Sequence, residues 1–242
     1  MKRGGRGNRN IYASKRAYWR KKKKQAMAKR GRLTTNTQGI LIPMRTLVTL
    51  KYAQDIEIKV PAQAGVVGSY KFRANSIFDP DFTSVVVGHQ PMGHDQYANF
   101  YQKYVVVGST ITATFRNSSN TSLTSDTSQQ YICGITTTTP NQIISNNYEL
   151  LENNRTSYGK TSPQKPFQVI KKKFKAKKYF GISKILDNKD YGANFGNNPV
   201  EQALFELFTY NPIGSEQATP MWVNVMIKYH CVLRDRVNLG LS

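Results

Sequence analysis

From Val48 the chain alternates strictly between apolar and polar residues. Even positions read Val48, Leu50, Tyr52, Gln54, Ile56, Ile58 and Val60, and odd positions read Thr49, Lys51, Ala53, Asp55, Glu57 and Lys59. Successive side chains on a β-strand point to opposite faces, so this stretch predicts a long strand with one buried face and one wet face, stopped by Pro61. A second long run lies near the C-terminus. Met221, Val223, Val225, Ile227, Tyr229, Cys231 and Leu233 share one face, and Asn224, Lys228, His230 and Arg234 share the other. Shorter runs predict strands through Tyr131, Cys133, Ile135 and Thr137 and through Ala203, Phe205 and Leu207. Val105, Val107, Ile111, Ala113 and Phe115 are expected on one face, opposite Thr110, Thr112 and Thr114. Turn-rich segments at 117–128 and 187–199 separate the runs. Asp95, Tyr97, Phe100, Tyr101 and Tyr104 instead sit at helical spacing, which predicts one short helix over 95–103 with Asp95 as its N-cap. No alternating βαβ pattern appears. The expected fold is all-β, an eight-stranded antiparallel sandwich of jelly-roll type, although period-two patterning is shared by other sandwiches.

The N-terminal segment has the opposite character. Residues 1–32 hold fourteen basic side chains: Lys2, Arg3, Arg6, Arg9, Lys15, Arg16, Arg20, Lys21, Lys22, Lys23, Lys24, Lys29, Arg30 and Arg32. The first acid in the chain is Asp55. Of the net charge of +21, the arm supplies +14; the rest of the chain has 21 basic residues against all 14 acids, or +7. A block of like charge repels itself and is expected to stay disordered until a polyanion neutralises it. Each Lys or Arg that meets a phosphate releases a condensed counterion, so fourteen contacts to a single strand give a slope of log K against log salt of roughly −10 as an upper bound. Tyr12, Tyr18 and Trp19 lie among the charges, where they can stack on bases. Such an arm reads as sequence-independent nucleic-acid binding. A solvated tail is the competing reading, and fourteen cations with no acid weigh against it. Lys15 and Arg16 followed by Lys21, Lys22, Lys23 and Lys24 also resemble a nuclear import signal. The expected organisation is an arm at 1–32, a polar linker at 33–45, a folded body at 46–236 and a tail at 237–242.

A second basic cluster, Lys171, Lys172, Lys173, Lys175, Lys177 and Lys178, encloses Phe174 and Tyr179. It is either a basic patch aimed at the same polyanion or an edge strand protected by lysine. His89 and His94 lie near Asp79, Asp81 and Asp95 without Cys or His partners at metal-ligand spacing, so no metal and no cofactor is expected. No phosphate-binding glycine loop or nucleophile motif occurs, and no catalytic residues are assigned. Cys133 and Cys231 each sit in an apolar run and are expected as buried free thiols. No apolar run approaches the length of a membrane span, and the N-terminus lacks a signal-peptide core, so a soluble, intracellularly made chain without membrane insertion is expected.

The run Tyr70-Lys-Phe-Arg-Ala-Asn-Ser-Ile-Phe-Asp-Pro-Asp81, then Gly88-His-Gln-Pro-Met-Gly93, Asp95-Gln-Tyr97 and Tyr104-Val-Val-Val-Gly-Ser109, resembles the capsid proteins of circular, Rep-encoding single-stranded DNA viruses, the circovirus-like group. Ala176-Lys-Lys-Tyr-Phe-Gly181, Asp187-Asn188 and Asn198-Pro-Val-Glu-Gln202 are similar to that group in the same order. The arm here is richer in lysine than the arginine-dominated arm of porcine circovirus. The resemblance implies an eight-stranded jelly roll, sixty copies in a T=1 icosahedral shell, and interior arms that package circular single-stranded DNA. Sixty arms carry on the order of 840 positive charges. It also implies residence in the virion and in the host nucleus during assembly, and as partners the nuclear import machinery and a cell-surface receptor. A coat protein of a small RNA or satellite virus uses the same physics and is the first alternative; a cellular nucleic-acid-binding module is the second. On composition, 117–128 and 141–165 are expected as outward-facing loops.

Overall fold

The alternation at 48–60 becomes β1 (Arg45–Val60), where Leu50, Tyr52, Ile56, Ile58 and Val60 are buried while Lys51, Ala53, Asp55, Glu57 and Lys59 are exposed. Its partner is β9 (Thr219–Arg236), antiparallel and unbroken from Arg45 opposite Arg234 to Val60 opposite Thr219. The computed structural model describes residues 42–86, 88–117, 130–142, 146–215 and 217–237. Between these two strands lie β2 (Gly68–Arg73), β3 (Tyr101–Asn117), β4 (Tyr131–Thr138), β5 (Ser157–Thr161), β6 (Phe167–Lys175), β7 (Gly192–Asn194) and β8 (Leu204–Tyr210).

The strands form two antiparallel sheets. One runs β1-β9-β3-β6, with β7 added beside β3, and the other runs β2-β8-β4-β5. Four of the ladders nest: β4 with β5, β3 with β6, β2 with β8, and β1 with β9. Successive nested pairs alternate between the sheets, as when one long hairpin is rolled up. The β3–β9 and β4–β8 ladders close the roll. This is the eight-stranded jelly roll.

The sheets bury their facing sides against each other. All seven inward side chains of β9, Met221 to Leu233, are buried, and each contributes roughly 1.5–3 kcal/mol relative to exposure. Polar links cross the core where side chains span the sheets. Tyr229 Oη donates to the Arg73 carbonyl at 2.7 Å, and Ser109 Oγ donates to the Ala74 carbonyl at 2.6 Å. Gly134 lies opposite Phe208, and a Cβ there would come within 2.3 Å of the Phe208 ring, so only glycine admits that ring.

Several expectations are corrected. Val105 and Val107 do not share a face with Ile111. The β3–β9 register shifts between Val106 and Gly108, so Tyr104 and Val106 oppose Leu233 and Cys231, whereas Ser109 and Ile111 oppose Tyr229 and Ile227. A bulge inserts one residue and reverses the alternation. The helix expected over 95–103 is α1 (His94–Ala98), capped by Gly93 at φ 91°, with no side-chain cap from Asp95. It ends early because the β3–β9 ladder already begins at Tyr101. Two more helices, α2 (Asn147–Glu152) and α3 (Ala176–Phe180), and a 3-10 turn at Lys189–Tyr191 appear among the described residues. The segment 141–165 is therefore not simply loop: it contains α2 and β5, and Leu150 of α2 packs with Phe208 and Tyr210 on the outer side of β8.

Candidate nucleic-acid interface

The fourteen basic residues of 1–32, with Tyr18 and Trp19, lie outside the described residues, as do 118–129. The second basic cluster is described, and it divides. On β6 the outward positions are Lys171, Lys173 and Lys175, all exposed. Lys172 alternates inward with Ile170 and Phe174; its Nζ donates to Ser157 Oγ at 3.3 Å, and burial pushes its pKa below the usual lysine range. Lys177 and Lys178 sit on α3, after the strand has ended. The turn into α3 is fixed by aromatic packing: Phe174 meets Tyr179 at 5.3 Å and Phe180 at 6.1 Å between ring centroids. The cluster thus comprises three outward lysines on a strand, one tethered lysine and two helical ones.

Register adds two lysines that sequence reading treated only as wet strand positions. Lys51 of β1 lies opposite Lys228 of β9; Lys228 lies opposite Thr110 of β3, and Thr110 lies opposite Lys173 of β6. His230, one pleat further along β9, is exposed beside Thr49, with Nδ1 and Thr49 Oγ1 3.0 Å apart. No sequence signal marks these rows, because strand order and register decide which distant residues become neighbours.

The histidine and carboxylate region is structural. Arg73 Nη1 donates to Asp79 Oδ2 at 2.7 Å, to the Asp79 carbonyl at 2.8 Å and to the Asp81 carbonyl at 3.0 Å, while Nε donates to Gln202 Oε1 at 3.0 Å. Asp81 Oδ2 accepts from Tyr70 Oη at 2.6 Å and from Gln54 Nε2 at 2.9 Å. These bonds engage the Oδ2 atoms of Asp79 and Asp81 within the protein itself. His89 stacks on Tyr52 at 4.5 Å, and buried His94 bonds Asp95 through Nδ1 at 2.8 Å. Among the described residues no group of three or more His, Cys, Asp or Glu is placed to hold a metal ion. Cys133 and Cys231 are free and buried, and burial pushes the Cys133 thiol up to about 12. Among the described residues no helix is long and apolar enough to cross a membrane.

No known protein family matches the sequence, and no curated protein matches it. Solved structures with a similar chain path include Desmodium yellow mottle tymovirus, at 10% identity over 87% of this chain and 95% of that one, with a TM-score of 0.38. The decameric BFDV capsid protein is 9% identical over 78% of this chain and 100% of that chain, with a TM-score of 0.43. The Macrobrachium rosenbergii nodavirus chain is 11% identical over 87% of this chain and 60% of its own length, with a TM-score of 0.44.

Proposed function

We propose that this chain is a viral capsid protein that self-assembles into a T=1 shell of sixty copies and packages circular single-stranded DNA. The observation that carries the reading is the joining, in one chain, of an acid-free segment with fourteen cations to a closed eight-stranded jelly roll. The roles divide along the chain. Residues 1–32 neutralise the genome, and Lys15, Arg16 and Lys21 to Lys24 also engage the host nuclear import machinery. Residues 33–45 form the linker, 46–236 the shell domain and 237–242 a terminal tail. Lys171, Lys173 and Lys175 form a second basic contact. A cell-surface receptor completes the partners.

The physical logic is electrostatic. A genome packed into a small volume repels itself, and cationic arms neutralise phosphates without requiring a base sequence. A jelly roll offers a rigid body whose loops and sheet faces are free for subunit contacts, with no demand for chemistry at its core.

The test is expression of the full chain and of a form lacking 1–32, each purified through nuclease. The reading expects nuclease-protected nucleic acid, digestible by DNase after particle opening, with the full chain only. Protected nucleic acid that resists DNase and yields to RNase moves the assignment to an RNA virus coat protein. Equal protection without the arm refutes the arm's role.

A further inference from the structure

The outer face of the β1-β9-β3-β6 sheet carries a pattern that the arm does not explain. Lys51 and Lys228 are direct cross-strand neighbours, and Lys173 lies two strands beyond Lys228, across Thr110. Lys171 and Lys175 flank Lys173 along β6, with about 6.7 Å between successive outward positions. All five lysines are exposed, and none has an ion pair or side-chain hydrogen bond among the described residues. Like charges directly opposite on a sheet destabilise it, so the Lys51–Lys228 pair is a standing cost that an anion relieves.

The same face continues into an aromatic zone. Arg116 of β3 lies opposite Trp222 of β9 on one side and opposite Phe167 of β6 on the other. Trp222 is 50% exposed and Phe167 55%. Val169 of β6 and Met226 of β9 are exposed beside them. Of the exposed acids of this sheet among the described residues, Asp55 and Glu57 lie on β1, where Asp55 accepts from Asn224 Nδ2 at 2.6 Å and Glu57 lies opposite Trp222, and Asp235 lies at the far end of β9, paired with Lys103 at 2.8 Å. Between them the β9-β3-β6 side presents cations, threonines, aromatic rings and the apolar Val169 and Met226.

Cations that follow a backbone, with aromatic faces beside them, make the combination that holds single strands without reading their sequence. We propose that this sheet face is a docking surface for single-stranded nucleic acid, with phosphates on Lys51, Lys228, Lys171, Lys173 and Lys175 and bases stacked on Trp222 and Phe167. The occupant's identity rests on the packaging reading above; charge complementarity selects a polyanion over an apolar protein partner.

The test uses the full chain and an oligo-dT strand. Replacing the five lysines by Gln is expected to make the slope of log K against log salt shallower by up to about 3.5. In a W19F background, where Trp222 is the remaining tryptophan, strand binding is expected to quench its fluorescence, and W222A to weaken binding about 5- to 150-fold. A parallel variant with the fourteen arm cations replaced by Gln separates the two sites. Loss of slope in the sheet variant with none in the arm variant supports this face while refuting the arm. An unchanged slope with unquenched Trp222 overturns the inference. So does a sheet variant that binds DNA normally but no longer assembles, because the face is then a subunit contact.

Discussion

Arg73 ties the end of β2 to two other segments through one largely buried side chain. It stands at the end of β2, and its guanidinium holds Asp79, the Asp81 carbonyl and Gln202 while lying 4.9 Å from the centroid of the Phe82 ring. The Arg73 and Asp79 side chains are only 12% and 10% exposed, and Asp79 Oδ1 has no hydrogen-bond partner among the described residues. Arg73→Ala therefore strands a buried carboxylate. Removing one partner of a buried pair costs about 3–5 kcal/mol, because the remaining charge has lost its compensation. Lys103–Asp235 is the control. It closes at 2.8 Å, yet its side chains are 42% and 47% exposed, so Lys103→Ala is expected to cost about 0–1 kcal/mol. The assay is urea unfolding of the monomeric chain at pH 7 and one fixed protein concentration, followed by tryptophan fluorescence, since any association of copies adds to apparent stability. A loss below about 1 kcal/mol for Arg73→Ala, or equal losses for the two variants, refutes burial as the deciding factor.

Gly134→Ala forces a Cβ into the Phe208 ring and is expected to cost about 1–3 kcal/mol; a stability equal to wild type in the same urea assay contradicts the close approach. Deletion of 1–32 is expected to remove up to about 10 from the salt slope of single-strand binding, and a slope that survives the deletion assigns the affinity elsewhere. Burial raises the Cys133 thiol from 9.0 to about 12, so the folded state keeps a proton that the unfolded state releases. Its contribution is fully present below pH 9 and falls as pH rises toward 12, a loss shared in direction by buried Cys231 and Tyr229. Thermal melts between pH 8 and pH 11 check this, and a flat profile contradicts it. In the same range Cys133 is expected to resist alkylation until urea is added.

What was legible in the sequence was whatever a single strand dictates by itself. The faces of β1 and β9 followed from alternation because the two strands pair with each other without interruption and are wet on one side. The arm's charge needed no structure to be read. Features that depend on two strands at once were not legible. The bulge at Val106 and Gly108 reverses the face of Val105, yet nothing in a run of three valines marks where an extra residue is absorbed. The lysines at 171–178 looked like one group because sequence proximity hides both the pleat that turns Lys172 inward and the helix that begins at Ala176. Asp95 has the chemistry of a cap, but the turn is made by Gly93, and the carboxylate is held by His94. Lys51, Lys228 and Lys173 fall in one row only because β9 and β3 lie between the strands that carry the outer two.

Self-assembly is the claim on which the rest depends, and the mass of the purified full-length protein tests it most directly. Electron microscopy and sedimentation of the nuclease-treated chain are expected to show uniform spheres of about 20 nm. Sixty subunits of 27.4 kDa give a protein mass of about 1.6 MDa. A monodisperse monomer that persists across salt concentrations and with added single-stranded DNA contradicts the capsid assignment and leaves a cellular nucleic-acid-binding module in its place.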